Sequence, residues 1–233
     1  MAKIPWTPWH EVVKLRDDLR SGELSLAMFA ADLYEVLMQS GKRPIYERPE
    51  NFFALTYPTY TLRQLVRDVA LRLAGKNDKA VRQLELTYGG GKTHTLITLY
   101  HLVQDPASLP NLPAVGEFKE AIGQVPPKAR VAGLCFDKLD VEKGMSVRGP
   151  DGKSRTLKYP WSVLAYQIAG DEGLRILHAD NKPQERESAP AENLLTQLLE
   201  IPVKQGLGTL ILIDEVLMYA REKVRQSPEW RGT

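Results

Sequence analysis

Cysteine, long apolar runs and an excess of charge of one sign are all scarce in this sequence. Cys135 is the only cysteine among 233 residues, which excludes an internal disulfide and favours a reducing compartment. Because Cys135 lies in an apolar run, we interpret it as an inert core thiol. The four histidines are scattered, and no Cys/His cluster has metal-ligand spacing. The net charge of +2 is too small to argue for a nucleic-acid or membrane partner.

Targeting and membrane-spanning segments are absent from the pattern as well. The stretch from Met1 to Trp6 has no apolar signal core, and no uncharged stretch is long enough to span a bilayer. The hydrophobic content of 43% and the charged content of 26% are typical of a soluble globular protein. We therefore expect a cytoplasmic protein with no membrane partner.

The periodicity of the apolar residues divides the chain into two regions. An apolar stripe from Leu26 to Leu37 and another that follows a capping box at Thr61 and Gln64 predict helices. Further along, short apolar runs that are typical of strands alternate with helical patterns. The sequence thus predicts an N-terminal helical region over residues 1–80 and an α/β core with a mostly parallel sheet over residues 81–233.

A glycine-rich stretch at the start of the second region has the order of a phosphate-binding loop. The apolar-alternating run from Leu84 to Tyr88 enters three glycines, and a Lys-Thr pair then begins a helical pattern. Glycines allow a tight turn whose N–H groups face inward, and the helix directs its positive end at the same place. Lys92 would reach the β- and γ-phosphates, and the Thr93 hydroxyl would bind Mg²⁺. The predicted nucleotide-binding residues are Gly89, Gly90, Gly91, Lys92, Thr93 and His94, the last as a residue of the first helical turn rather than a catalyst.

The match to the P-loop pattern G-x-x-x-x-G-K-[ST] is incomplete at its first position. The pattern requires a glycine where this chain has Leu86. Gly89 and Gly90 would supply the missing conformational freedom from inside the loop. The alternative is a flexible glycine hinge followed by an ordinary helix start.

A second motif follows more than a hundred residues later. The run from Thr209 to Ile213 predicts a strand buried on both faces, and it ends in the carboxylates Asp214 and Glu215. Acids at the carboxyl end of such a strand emerge where an open α/β sheet binds its ligand. In a P-loop protein Asp214 would hold Mg²⁺ and Glu215 would polarise the attacking water. The alternative is a buried strand followed by a helix with an acidic first turn.

Two other features permit a nucleic-acid interpretation and an ordinary one. The segment 141–159 predicts a basic hairpin that could contact DNA or RNA phosphates, although a solvated hairpin face explains the charges as well. Aromatic residues between the N-terminal helices could stack on bases, but anchoring a loop onto those helices is the simpler interpretation. These aromatic residues are Phe52, Phe53, Tyr57 and Tyr60.

With these motifs, the chain resembles a family of large bacterial ATP-binding proteins of uncharacterised function. Their genes occur beside methyltransferase-like and helicase-like genes in anti-phage defence islands. The resemblance begins near Pro8 and runs over nearly the whole chain. It is strongest at Gly89 to Leu96, then at Trp161 to Gln167, then at Leu210 to Glu215, and the glycine triplet before Lys-Thr-His is its most specific element.

The resemblance implies a three-layer P-loop NTPase fold and Mg²⁺-dependent ATP binding and hydrolysis within a DNA-transaction or defence assembly. Catalysis would rest on Lys92 and Glu215, and the Mg²⁺ ligands would be Thr93 and Asp214. The implied partners are a methyltransferase, a helicase or further copies of this chain. Because family members are far longer than this chain, an N-terminal fragment with an incomplete sheet is expected. Two alternatives remain open, a nucleotide-binding assembly module that does not hydrolyse ATP and a P-loop phosphotransferase.

Overall fold

The computed structural model describes residues 7–13, 30–85 and 89–226. The chain forms two compact units that divide after Ala31. In the first unit the described residues include one short helix, α1 (Trp9–Val12), with no buried residue. The second unit, Asp32–Thr233, contains all the other described elements. The predicted division of the chain at residue 80 remains a prediction.

The second unit is a mixed α/β structure with a helical N-terminal part. Its strands are β1 (Ala129–Cys135), β2 (Met145–Arg148), β3 (Ser154–Leu157) and β4 (Gly208–Asp214). Its helices are α2 (Leu33–Met38), α3 (Pro44–Glu47), α4 (Pro49–Ala54), α5 (Tyr60–Leu73), α6 (Lys92–Gln104), α7 (Pro113–Ile122), α8 (Pro160–Leu177), α9 (Glu192–Lys204) and α10 (Val216–Gln226). No helix among the described residues combines the length and apolarity needed to cross a membrane.

Short polar side chains begin the N-terminal helices. The Asp32 carboxylate accepts hydrogen bonds from the backbone N–H groups of Tyr34 and Glu35 and so begins α2. Thr59 does the same for α5 by accepting from the N–H of Leu62 at 3.3 Å. The N-cap of α5 is therefore Thr59, two residues before the predicted capping box at Thr61, because the hydroxyl of Thr59 is the one that reaches a free N–H group.

Two of the four aromatic residues that were expected to anchor this helical part are buried in it, and two are not. Phe52 and Phe53 are both 1% exposed and belong to the core. Tyr57 and Tyr60 are instead 81% and 71% exposed, so the expectation that they anchor the loop is wrong. Phe52 and Phe53 are on a helix and face inward, whereas Tyr57 lies in the connection beyond it.

Helix α6 lies at the centre of the unit. Every residue from Leu96 to Val103 is buried, including the polar Thr98 and His101. A helix that is apolar all round is one that other elements cover on all sides. His101 is accommodated because its Nε2 lies 2.7 Å from the backbone oxygen of Tyr46. The predicted helix after the glycine loop is thus confirmed as a core element.

Strands β1 and β4 form a two-stranded parallel sheet, in which Cys135 lies opposite Asp214. Strand β1 is buried on both faces. Strand β4 is not, since Leu212 is 2% exposed but Ile211 and Ile213 are 39% and 51% exposed. The prediction of a strand buried on both faces is therefore wrong for β4, because one of its faces is left open within the described part of the chain.

The second edge of β1 is closed by a side chain instead of a strand. The amide of Gln167, on α8, accepts from the N–H of Gly133 at 2.9 Å and donates to its C=O at 2.7 Å. These are the two bonds that a neighbouring strand would make at this residue. Gln167 is buried, so Gly133 keeps its hydrogen bonds away from water.

The remaining predictions concern the hairpin and the helices around it. Strands β2 and β3 pair antiparallel within the segment 141–159, and a turn at 149–153 joins them. The apolar spacing of the sequence predicts a helix over 161–168 and a polar loop from Asp171 onward. Helix α8 is longer than this, because it continues to Leu177 through a kink at Gly170. The buried Leu174 and Leu177 hold this continuation in the core, so the polar loop begins after it.

Candidate functional site

The glycine loop has a backbone that side chains would disfavour. Gly89 and Gly91 have φ angles of 77° and 80°, in the left-handed region that glycine adopts without steric cost. A Cβ atom added at either position would meet nothing within 4 Å. The backbone conformation, rather than crowding, is therefore what requires glycine, and the space above the loop is open to a ligand. The predicted glycine Gly90 lies between them in the turn.

Helix α6 begins directly after this loop. Gly91 is its N-cap and makes no side-chain cap, and Lys92 and Thr93 are its first two residues. The first N–H groups of an α-helix have no acceptor within the helix, and the helix dipole makes this end positive. Such an end binds phosphate groups well. The predicted phosphate-binding residues thus lie on one loop and on the start of one helix. Residues 81–85 before the loop show no strand pairing, and residues 86–88, where the apolar run meets the glycines, lie outside the described residues.

The two predicted motifs meet at one hydrogen bond. The hydroxyl of Thr93 donates to Oδ2 of Asp214 at 2.9 Å, although 121 residues separate them in sequence. Asp214 is the last residue of β4, so its carboxylate lies at the carboxyl end of that strand, beside the start of α6. This is the juxtaposition that a shared Mg²⁺ site requires.

Glu215 follows at the carboxyl end of β4. It is exposed and has φ of 54°, which is uncommon for any residue other than glycine. A non-glycine residue in this conformation carries strain of roughly 1–2 kcal/mol. Its carbonyl accepts from the N–H of Met218 at 3.0 Å, which begins α10. Strained backbone at a carboxylate beside a phosphate-type loop is a feature of functional sites.

His94 is held by the N-terminal helical part rather than by the loop. Its Nε2 lies 3.1 Å from Oγ1 of Thr56, and its ring lies 4.5 Å from that of Phe52. Burial lowers the pKa of His94, so the ring favours its neutral form. The structure therefore places the His94 side chain between α6 and α4, and only its backbone N–H belongs to the helix start.

Two acids that the motif analysis did not assign lie at the same end of the sheet. Asp137 follows β1, and Nζ of Lys138 lies 3.1 Å from its carboxylate and 3.2 Å from that of Asp32. Burial alone would lower the pKa of Lys138, but the hydrogen bonds that Lys138 donates to Asp137 and Asp32 raise it overall. Asp32 comes from a distant part of the chain, and the only sequence signal was its place before α2. Lys138 balances these charges beside the candidate site.

Three acids lie close enough to the thiol of Cys135, at the end of β1, to raise its pKa. Burial raises the pKa of its thiol well above the usual range, and the charges of Asp137, Asp214 and Asp32 raise it further. A thiol that stays protonated is a poor nucleophile and metal ligand. The interpretation of Cys135 as a buried, inert core thiol is consistent with this setting.

The donor atoms at this site suit a hard cation that is shared with phosphates. Within the described residues, no three His, Cys, Asp or Glu side chains are grouped to hold a metal ion. Mg²⁺ does not need such a group, since it keeps several waters and is bound by one or two carboxylates together with substrate phosphates. The Thr93 hydroxyl and the Asp214 carboxylate are oxygen ligands of that kind.

Comparison with known proteins gives one assignment. No curated protein and no solved structure matches the chain. A family model described as the DUF499 N-terminal domain matches residues 9–230, a span that includes both the glycine loop and the acid pair. The chain therefore belongs to the DUF499 family, through its N-terminal domain.

Proposed function

We propose that this protein binds ATP with Mg²⁺ and hydrolyses it. The observation that carries the proposal is the hydrogen bond between Thr93 and Asp214, which joins the glycine loop to the acid pair. A glycine hinge with an unrelated acidic helix start would give no reason for these side chains to meet. The open, positive-φ loop at Gly89 and Gly91 supports the same interpretation.

The proposed architecture is a P-loop core in three layers. The parallel pair of β1 and β4 would be part of its sheet, with α6 following the phosphate loop. The residues before Gly89 would supply the strand that enters the loop. The acid pair then lies at the carboxyl edge of the sheet, where open α/β sheets bind their ligands.

Each residue of the site has a definite task in this scheme. Lys92 and the N–H groups at the start of α6 hold the β- and γ-phosphates. Thr93 and Asp214 hold Mg²⁺, which when bound neutralises charge on the phosphates. Glu215 accepts a hydrogen bond from the attacking water and orients it toward the γ-phosphate. The catalysis is mainly positioning and electrostatic stabilisation of a charged phosphoryl group.

Binding is tested by calorimetry with ATP and Mg²⁺. Lys92→Ala should weaken the affinity by about 100-fold or more, since it removes a charge-assisted contact to phosphate. Lys204→Ala is the matched control, because its side chain is 75% exposed and it ends α9, close to the opposite end of β4. Equal affinities for both variants, each verified as folded by circular dichroism, would refute the phosphate cradle.

Hydrolysis is tested on the same preparations by phosphate release. Glu215→Gln should keep the affinity for ATP and lower turnover by about 100-fold, the usual contribution of a group that activates water. Turnover that does not depend on Glu215, with tight binding, would favour a module that uses ATP only as an assembly switch. Transfer of phosphate to an acceptor instead of water would favour a phosphotransferase.

The proposed setting is a cytoplasmic DNA-transaction or anti-phage defence assembly with a methyltransferase, a helicase or further copies of this chain. That part of the proposal rests on the family resemblance. The basic hairpin adds less to a DNA interface than its composition suggests, because carboxylates pair with two of its basic side chains. Lys153 pairs with Asp151 at 3.4 Å, and Arg155 pairs with Asp171 at 3.0 Å. A gel-shift titration with duplex DNA measures whether the remaining charge suffices.

A further inference from the structure

A recess lies away from the glycine loop, beside the edge of β1 that Gln167 contacts. It has a volume of about 210 Å³ and is lined by α6, β1, α8 and the turn of the basic hairpin. Its buried residues include Tyr100, Val131 and Gln167. Helix α6 begins at the glycine loop, and Tyr100 lies more than two turns further along it. The recess is therefore a separate site from the proposed nucleotide site.

The charged residues of this recess are all positive. Arg130 and Arg148 line it, and no Asp or Glu does. Among the described residues, neither arginine forms an ion pair with a carboxylate. Arg148 donates to Oε1 of Gln39 at 2.9 Å, and Nη2 of Arg130 donates to Oε1 of Gln205 at 3.1 Å. Both guanidinium groups are thus held in place by neutral amides, which leave their charge uncompensated.

Several hydrogen-bond donors in the recess remain available. Nε of Arg130 is buried and has no hydrogen-bond partner in the described structure. A buried donor in this state is unfavourable, and a bound acceptor would relieve the cost. Tyr100 also lines the recess, and its phenolic O–H is a further group that can donate to a bound acceptor.

We propose that this recess binds a small dianion, a phosphate monoester or a dicarboxylate, between Arg130, Arg148 and Tyr100. Two guanidinium groups balance two negative charges, and their planar N–H pairs match the oxygen atoms of either group. The volume limits the ligand to a small molecule, because a cavity of roughly 150 Å³ holds benzene and drug-sized ligands need roughly 300 Å³ or more. The exposed Arg148 and the hairpin turn form the entrance.

The test uses the chain with Lys92→Ala, so that anions do not bind at the glycine loop. Inorganic phosphate and succinate are titrated separately while NMR follows the Nε–Hε signal of Arg130 and the backbone amides of Gly149 and Gly152. We expect saturable shifts at these groups. Stronger binding of phosphate would identify a phosphate monoester as the ligand class, and stronger binding of succinate would identify a dicarboxylate.

Two further variants locate the binding. Arg148→Gln should weaken the affinity by about tenfold or more, and Tyr100→Phe should weaken it less, because one loses a charged donor and the other a neutral one. Lys153→Gln is the matched control, since it removes one charge from the same hairpin at a residue that is 81% exposed and outside the recess. Absence of saturable shifts, or equal affinities for Arg148→Gln and Lys153→Gln, would overturn the proposal. Neither result depends on whether the protein binds ATP.

Discussion

Two polar contacts attach helices to the same small sheet, and they differ in kind. At the carboxyl end of β4, the hydroxyl of Thr93 donates to the carboxylate of Asp214. In the middle of β1, the amide of Gln167 makes both hydrogen bonds of Gly133. The first contact is partly open to solvent and joins groups that both bind Mg²⁺ readily. The second is buried and satisfies backbone groups that have no other partner strand.

The two contacts differ in whether a bound ligand could take the place of the hydrogen bond. A metal ion could enter between Thr93 and Asp214, because both oxygen atoms would gain a ligand in place of the hydrogen bond. Loss of the Gln167 amide would instead leave the buried N–H and C=O groups of Gly133 unpaired, which is costly in a dry interior. We therefore assign function to the first contact and stability to the second.

The largest effect is expected at the buried contact. Gln167→Ala should lower the free energy of unfolding by about 2–4 kcal/mol, because two buried backbone groups of Gly133 lose their partner. Urea unfolding followed by circular dichroism measures this loss. Gln104→Ala is the control, since Gln104 is exposed on α6 and should change stability by less than about 0.5 kcal/mol. Similar values for the two variants would show that the amide of Gln167 is not a structural clamp.

At the contact between Thr93 and Asp214 we expect a smaller loss of stability and a specific loss of function. Thr93→Val should destabilise the protein by only about 0.5–1.5 kcal/mol, since it removes one accessible hydrogen bond. It should also abolish most of the increase in ATP affinity that Mg²⁺ produces, whereas Thr93→Ser should keep it. Thr95→Val is the control, because the hydroxyl of Thr95 bonds to the carbonyl of Gly91 in its own helix. If Thr95→Val removes the Mg²⁺ effect equally, Thr93 is not a metal ligand.

The smallest effect concerns pH and the histidines that join α6 to the N-terminal helices. Burial lowers the pKa of His94 and of His101 from the ordinary value of 6.5, although the carbonyl of Tyr46 partly opposes this for His101. A lowered pKa in the folded state means that these groups stabilise the fold above pH 6.5. Their contribution is lost as the pH falls below 6.5 through the folded-state values. The contact of Gln167 does not titrate and should not share this dependence.

Melting curves between pH 7 and pH 5 measure this effect. His101→Gln should melt with a weaker pH dependence than the wild type, since glutamine can donate to the Tyr46 carbonyl but does not ionise in this range. His10→Gln is the control because His10 is exposed in α1. An unchanged pH dependence in His101→Gln would show that other groups destabilise the protein in acid.

The sequence predicted those parts of the site that depend on local pattern. Glycines before Lys92, and acids after an apolar run that ends at Ile213, each require a definite backbone geometry, so the loop, α6 and β4 could be placed before the structure was known. The basic hairpin within 141–159 was predicted in the same way, from the residues that favour a turn. The contact between Thr93 and Asp214 is the one that their common assignment to a Mg²⁺ site predicts.

The rest depended on contacts between distant segments. Nothing near Gln167 indicates that it would take the place of a strand beside Gly133, because glutamine is common on helices and the two residues are 34 positions apart. The exposed face of Ile211 and Ile213 was missed for a related reason. An apolar run shows that burial would be favourable but does not say which elements are present to provide it.

The hydrogen bonds between Gln167 and Gly133 also affect the edge at which a further strand could join the sheet. A free strand edge invites a further strand, whether from the same chain or another, and an edge whose hydrogen bonds are used does not. On β1 the amide of Gln167 uses both hydrogen bonds of Gly133 and so disfavours a further strand there, whereas the far side of β4 has no neighbouring strand within the described structure. A strand that joined there would lie next to Asp214 and Glu215. Extension of the sheet on that side would thus change the surroundings of the proposed catalytic acids directly.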